Sequence, residues 1–242
     1  MDDNLLNFPF ERADWDAQWT LLVIALALCS FLIPPLASML AMGVAGQIAR
    51  PVIIDGSRPA MPARLEWHAL LAMGARWWLV SIIFQIPALA VVAGTVGWLL
   101  HRYGLPRIGE EWAGIPQAWP VIAAALAVAL LLGMFSAWLS NTAQMHLTAK
   151  GSFWAAFRIG EWARVLAANL RGFLAALGRM LLLALGVGAV QFVVSLPAAA
   201  LIILPTILGS FTGLYLRCIS AALYARAYRE GLRRVQAEIP TA

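Results

Sequence analysis

The chain has 242 residues, 62% of them hydrophobic and only 12% charged, with a formal net charge of +5. A soluble domain carries about 25% charge. The apolar residues here come in stretches too long for a globular core, so the composition excludes a soluble protein and sets an all-α, polytopic transmembrane helix bundle. The positive excess suits loops that face anionic headgroups, and no motif for nucleic acid accompanies it.

Residues 1–18, MDDNLLNFPFERADWDAQ, are polar and acidic. They lack the basic n-region and small-residue cleavage site of a signal peptide, so the segment is expected to stay on the chain. A single integral membrane helical domain is expected over 19–236. Its first apolar run, 19–49, is interrupted by Pro34 and Pro35 within FLIPPLASML. Two arrangements fit. One kinked helix would place the N-terminus outside. A hairpin turning at the prolines would place it in the cytoplasm, with legs of about 15 residues, or roughly 23 Å each. A proline cannot donate to the helical ladder and the residue before it resists helical angles, so the pair favours the hairpin.

The next spans are bracketed by tryptophan. Trp77, Trp78 and Trp98 enclose an apolar segment at 77–100, and Trp119 and Trp138 enclose another at 119–139. Trp78 and Trp98 stand 20 residues apart, about 30 Å of helix and the thickness of a hydrocarbon core. Tryptophan suits the interface because its ring is apolar while its N–H seeks a polar partner. Residues 151–171 then read as a basic amphipathic helix with Ser152 as N-cap, expected in the membrane surface plane; the same pattern would suit a helix packed on protein. The apolar run from Met180 to Leu216 is too long for one crossing and is expected to fold as two spans, 180–196 and 197–216, meeting at Pro197. Residues 217–242 form a basic C-terminal helix and tail. Arginine is concentrated in 50–76, 140–179 and the tail, so the positive-inside rule places those segments and the C-terminus in the cytoplasm, with 101–118 outside.

Small residues recur every fourth position at Ala37, Ala41, Ala45 and Ala49, and again at Ala125, Ala129, Gly133 and Ala137. Such ridges let helix backbones approach closely, either at a subunit interface or, as the favoured reading, within the chain's own bundle. Cys29 and Cys218 lie in separate apolar stretches and read as packing residues.

Chemistry is sparse. No ionisable group lies in the core of an apolar segment, where a pump or transporter usually keeps one. The buried polar candidates for an intramembrane site are Gln85, Gln191 and Thr206. Gln85 beside Pro87 could meet carbonyls freed by a kink, and interhelical hydrogen bonding explains all three without a substrate. His68, His101 and His146 could each ligate a pigment or haem, but none is committed to such a role, and no metal-ligand spacing occurs. SNTAQMH (140–146) is the most polar patch beside a span, and no nucleophile–base–orienter set can be assembled from it. No enzyme activity, cofactor or metal site is therefore expected.

The order of features, FPFERADW, then Gly43, Arg50 and Gly56, then Pro62, Trp67, Gly74 and Pro87, and a closing LYARAYREG, resembles the bacterial and archaeal membrane family catalogued as domain of unknown function 4013. The likeness spans roughly residues 7–235; members often carry Gly-Tyr where this chain has Gly43-Val44. The resemblance implies a multi-pass helical membrane protein with no established activity and no catalytic residue to carry over; a bacterial or archaeal cytoplasmic membrane is the expected location. Three readings follow: a non-catalytic accessory or scaffold subunit of a larger membrane assembly, with other membrane subunits or copies of itself as partners; a carrier or channel for a neutral or apolar solute or lipid; and a pigment- or haem-binding subunit.

Overall fold

A computed structural model describes residues 8–10, 17–62, 64–103, 115–195 and 203–238. The expected polar N-terminal segment, most of the outer loop and the break at Pro197 fall largely or wholly outside them. Among the described residues the structure is helical, with α1 (Ala17–Leu32), α2 (Pro34–Ile54), α3 (Trp67–Tyr103), α4 (Ile115–Lys150), α5 (Ile159–Ala168), α6 (Leu170–Ser195) and α7 (Ile203–Ala237). Short 3-10 helices occupy Phe8–Phe10 and Phe153–Phe157. Five helices, α2, α3, α4, α6 and α7, are long and apolar enough to cross a membrane.

The double proline ends one helix and starts another. Ile33 leaves the helical region at φ −142°, ψ 74°, and Pro34 and Pro35 fill the first turn of α2. There a missing N–H costs nothing and the fixed φ is already helical. α1 packs against both α2 and α7, and Leu22 and Leu26 share one buried cluster with Leu40, Val44 and Ile48. The chain therefore turns at Ile33. The legs are unequal: α1 has 16 residues and α2 has 21, so only α2 reaches the roughly 30 Å of a hydrocarbon core.

The helices fall into two compact units. The first joins Met1–Leu79 to Asn141–Ala242, and its hub is α7, which packs on α1, α2, α5 and α6. Ring contact between Phe173 and Tyr224, and a hydrogen bond between Gln191 and Thr212, set α6 antiparallel to α7. α2 crosses the start of α3 at Gly43 and Gly74. A Cβ on Gly43 would strike the Leu70 carbonyl, and one on Gly74 would strike that of Met39. Only glycine allows backbones this close.

The second unit, Val80–Ser140, contains the remaining lengths of α3 and α4. The Gln85 amide donates to the Gly133 carbonyl at 3.1 Å, and the Ser81 and Ser140 hydroxyls lie 3.4 Å apart. Ala88 and Ala129 are buried there, while Val92, Val96, Leu126, Leu130 and Leu131 are exposed. Exposed aliphatic surface of this extent matches a lipid environment.

Three elements differ from their sequence reading. Trp77, expected at an interface, is buried and donates its indole N–H to Thr148 Oγ1 at 3.1 Å; a protein acceptor serves that N–H as well as water does. The amphipathic stretch 151–171 is not one helix. It is the turn Phe153–Phe157, then α5, then a break at Asn169 (φ −133°), with Trp162 and Val165 buried and α5 packed on α7. A periodic apolar face records that something covers it, whether lipid or protein. Lastly, α7 runs through Arg217 without interruption, and the sequence LYARAY beyond it, expected in a basic tail, is buried except for half-buried Arg226.

Candidate functional site

α4 does not stop where its apolar run stops. It continues through SNTAQMHLTAK to Lys150, and Thr142, Gln144, His146 and Thr148 are each no more than 3% exposed. Buried polar groups call for partners, and Gln144 and His146 find them on neighbouring helices. Trp77, Gln144 and Thr148 close a ring. The indole donates to the Thr148 hydroxyl, which donates to the Gln144 carbonyl at 2.8 Å; the Gln144 amide in turn donates to the Trp77 carbonyl at 3.1 Å. Asn141 hydrogen-bonds Tyr224, and Asn169 donates to the Ala227 carbonyl at 2.8 Å.

His146 is the centre of this region. Nδ1 lies 2.5 Å from the Tyr228 hydroxyl and Nε2 lies 3.1 Å from Glu161 Oε2. A neutral ring satisfies both when the phenol donates to Nδ1 and Nε2–H donates to the carboxylate, a tautomer assigned from the partners. The three residues come from α4, α5 and α7, so one imidazole ties three helices together. Arg158 Nη1 approaches Glu161 Oε1 at 3.3 Å. Burial works to raise the Glu161 carboxyl, but the hydrogen bond from His146 and the Arg158 guanidinium outweigh it and hold the group below its ordinary value.

The arrangement can orient side chains and fix a proton along Glu161, His146 and Tyr228. The Tyr228 hydroxyl, the group on which His146 could act as a base, is buried at 1% exposure. Both ring nitrogens are engaged, which leaves neither for iron or magnesium in this arrangement. Among the described residues no group of three or more His, Cys, Asp or Glu could hold a metal ion.

The other candidates are dispersed. His68 is exposed in the first turn of α3 and His101 is exposed in its last turn. Gln85 bonds Gly133 within the Val80–Ser140 unit. In the other unit, the Thr212 hydroxyl has one proton and three acceptors in reach, Gln191 Oε1 at 3.0 Å and the Leu208 and Gly209 carbonyls at 2.8 and 3.2 Å. The Thr206 carbonyl accepts from Ser210 at 2.9 Å. The sequence reading missed Tyr228 and the use of Glu161. The available signal was a lone carboxylate between Arg158 and Arg164, and tyrosines at i, i+4 in LYARAY, which share one helix face.

The family described as protein of unknown function DUF4013 matches residues 26–203, a span that runs from α1 to the first residue of α7. Neither the curated proteins nor the solved structures yield a match. Glycines at the α2–α3 crossing and the proline-started α2 lie within the matched span, and the chain belongs to the family DUF4013.

Proposed function

We propose that the chain is a non-catalytic accessory or scaffold subunit of a larger membrane assembly. The observation that carries this reading is the use made of the buried and half-buried polar side chains. His146, Gln144, Asn169, Gln191 and Gln85 each close a contact between helices. That chemistry ties helices to one another within each unit, a structural use that needs no substrate. The apolar surface of Val80–Ser140 supplies area for lipid or for other membrane subunits. The distribution of arginine supports a cytoplasmic C-terminus.

Gentle extraction of the tagged protein from native membranes, followed by native mass spectrometry and an absorption spectrum on one sample, tests the reading. Stoichiometric partner proteins are expected. A visible band would instead support a pigment or haem on His68 or His101. A lone protomer or homo-oligomer carrying only lipid would reject the subunit reading.

That last outcome would favour a carrier for a neutral or apolar solute or lipid. One feature supports it: a cavity of about 170 Å³ between the α1–α2 turn and α7, bordered by Ser30, Ser38, Ser210 and Arg217. Ser38→Leu would then abolish flux while leaving the protein's thermal midpoint unchanged; equal loss of both would point to packing.

A further inference from the structure

A second cavity, of about 260 Å³, lies between the end of α2 and the last third of α7. Arg226, Arg229 and Arg233 of α7 line it together with Arg58 and Ser57 from the segment after α2. Positions 226, 229 and 233 follow the i, i+3, i+7 spacing of a single helix face. Four guanidinium groups thus share one cavity with a single carboxylate, Glu230. Glu230 is already held by Arg234 Nε at 3.2 Å. Among the described residues the ion pairs are His146–Glu161, Arg158–Glu161 and Glu230–Arg234, and none includes the four arginines of the cavity.

Like charges gathered in this way repel, and repulsion of this kind is relieved when an anion sits among them. The cavity is also organised in advance. Gly56 sits at φ +70°, and a Cβ there would overlap the Arg229 guanidinium, so glycine is required both by the backbone angle and by the packed arginine. Arg229 Nη1 donates to the Val52 carbonyl at 3.5 Å. One of the five guanidinium donors is so engaged, and the rest of the planar fork is available to oxygen atoms. Arg226 and Arg229 are half-buried, which weakens screening, while Arg58 and Arg233 are exposed at the rim. The volume falls just under the roughly 300 Å³ at which drug-sized pockets begin, a size for a small polar group.

We propose that this cavity binds a phosphate-bearing anion, either the headgroup of an anionic lipid or a free phosphate ester. Guanidinium forks match phosphate oxygens bidentately, and basic pockets between membrane helices hold anionic headgroups. The site is independent of whether the protein is a subunit or a carrier.

The test uses the full chain in detergent micelles. Dioleoyl phosphatidic acid and dioleoyl phosphatidylcholine are titrated separately, with bound copies counted by native mass spectrometry, and inorganic phosphate is titrated into a matched sample by calorimetry. The wild type should retain phosphatidic acid over phosphatidylcholine, and Arg58→Ala with Arg233→Ala should weaken retention at least about tenfold. Arg102→Ala, in the last turn of α3 and outside the cavity, should bind as the wild type does. Retention of the lipid without a phosphate isotherm identifies a headgroup site. A saturating phosphate isotherm, lost in the same double variant, identifies a site for free phosphate esters. Should the double variant misfold by circular dichroism, Arg58→Gln alone gives the same comparison. Binding of neither anion, or equal binding by wild type and cavity variants, overturns the proposal.

Discussion

The unit formed by Met1–Leu79 and Asn141–Ala242 and the unit Val80–Ser140 are built from the same kind of helix and are stabilised differently. In the first, α7 packs on four other helices, and polar side chains from α3, α4 and α7 are buried, with His146 of α4 also bonded to the exposed Glu161 of α5. In the second, the Gln85–Gly133 bond, the Ser81–Ser140 hydroxyl pair and a seam of small residues hold two helices, while many aliphatic side chains are exposed. Volume and hydrogen bonding decide the first unit; apolarity of the outward face decides the second. The two should therefore fail under different substitutions.

The largest expected effect lies in Val80–Ser140. Leu131 is 67% exposed, and Leu131→Arg should cost about 2.5–3.5 kcal/mol of insertion free energy, while Leu131→Val should be close to neutral. Membrane-inserted fraction by protease protection reads the difference. Full insertion of the arginine variant would mean that this face meets water or protein. The first unit should show the opposite sensitivity. Gly74→Val must push apart two backbones, at a cost of about 1–3 kcal/mol or more. Gly94→Ala, with nothing within 4 Å of its added Cβ, should gain about 0.5–1 kcal/mol from helix propensity. Thermal midpoints of the two variants should move in opposite directions, and a shift of the same sign in both would refute the crossing.

The same contrast explains what could be read from the chain before folding. Helix class and approximate span positions follow from runs of apolar residues, because lipid imposes one length and one polarity on whatever crosses it. The turn at Pro34 was legible for an equally local reason. The interior of the first unit was not. SNTAQMH reads as a polar end to a span, and LYARAY reads as the start of a basic tail. Their burial depends on α5 and α7 covering them, which is a property of contacts far apart in sequence. His146 and Tyr228 are 82 positions apart, and no periodicity links them. Gly43 and Gly74 were visible as features of the family, while their reason, a backbone crossing, needed the fold.

Hydrogen bonds give a finer version of the comparison. Tyr228→Phe removes the donor to a buried imidazole nitrogen and should destabilise by about 1–3 kcal/mol. Gln85→Leu breaks a bond between two lipid-facing helices, where such bonds average about 0.6 kcal/mol. Chemical denaturation in mixed micelles should rank Tyr228→Phe well below Gln85→Leu in stability. The reverse order would mean that the network around His146 is incidental to the fold.

The smallest effect concerns pH and belongs to the first unit alone. The Glu161 carboxyl, 44% exposed, is held below its ordinary value of 4.5 by His146 and Arg158 against a desolvation that works to raise it. A group whose value is lowered on folding contributes stability that is fully present above its unfolded value and is lost as pH falls through its folded one. Glu161's own contribution to the docking of α5 should thus be constant from pH 7 to about pH 4.5 and weaken only below that. Hydrogen exchange across residues 159–168, corrected for intrinsic rates, follows it. Glu161→Gln keeps an oxygen to accept from Nε2–H, so it should retain the docking at pH 7 and lose the acid transition. A transition that begins above pH 5, or that persists in Glu161→Gln, would assign the acid sensitivity to another group and reduce Glu161 to a surface partner of Arg158.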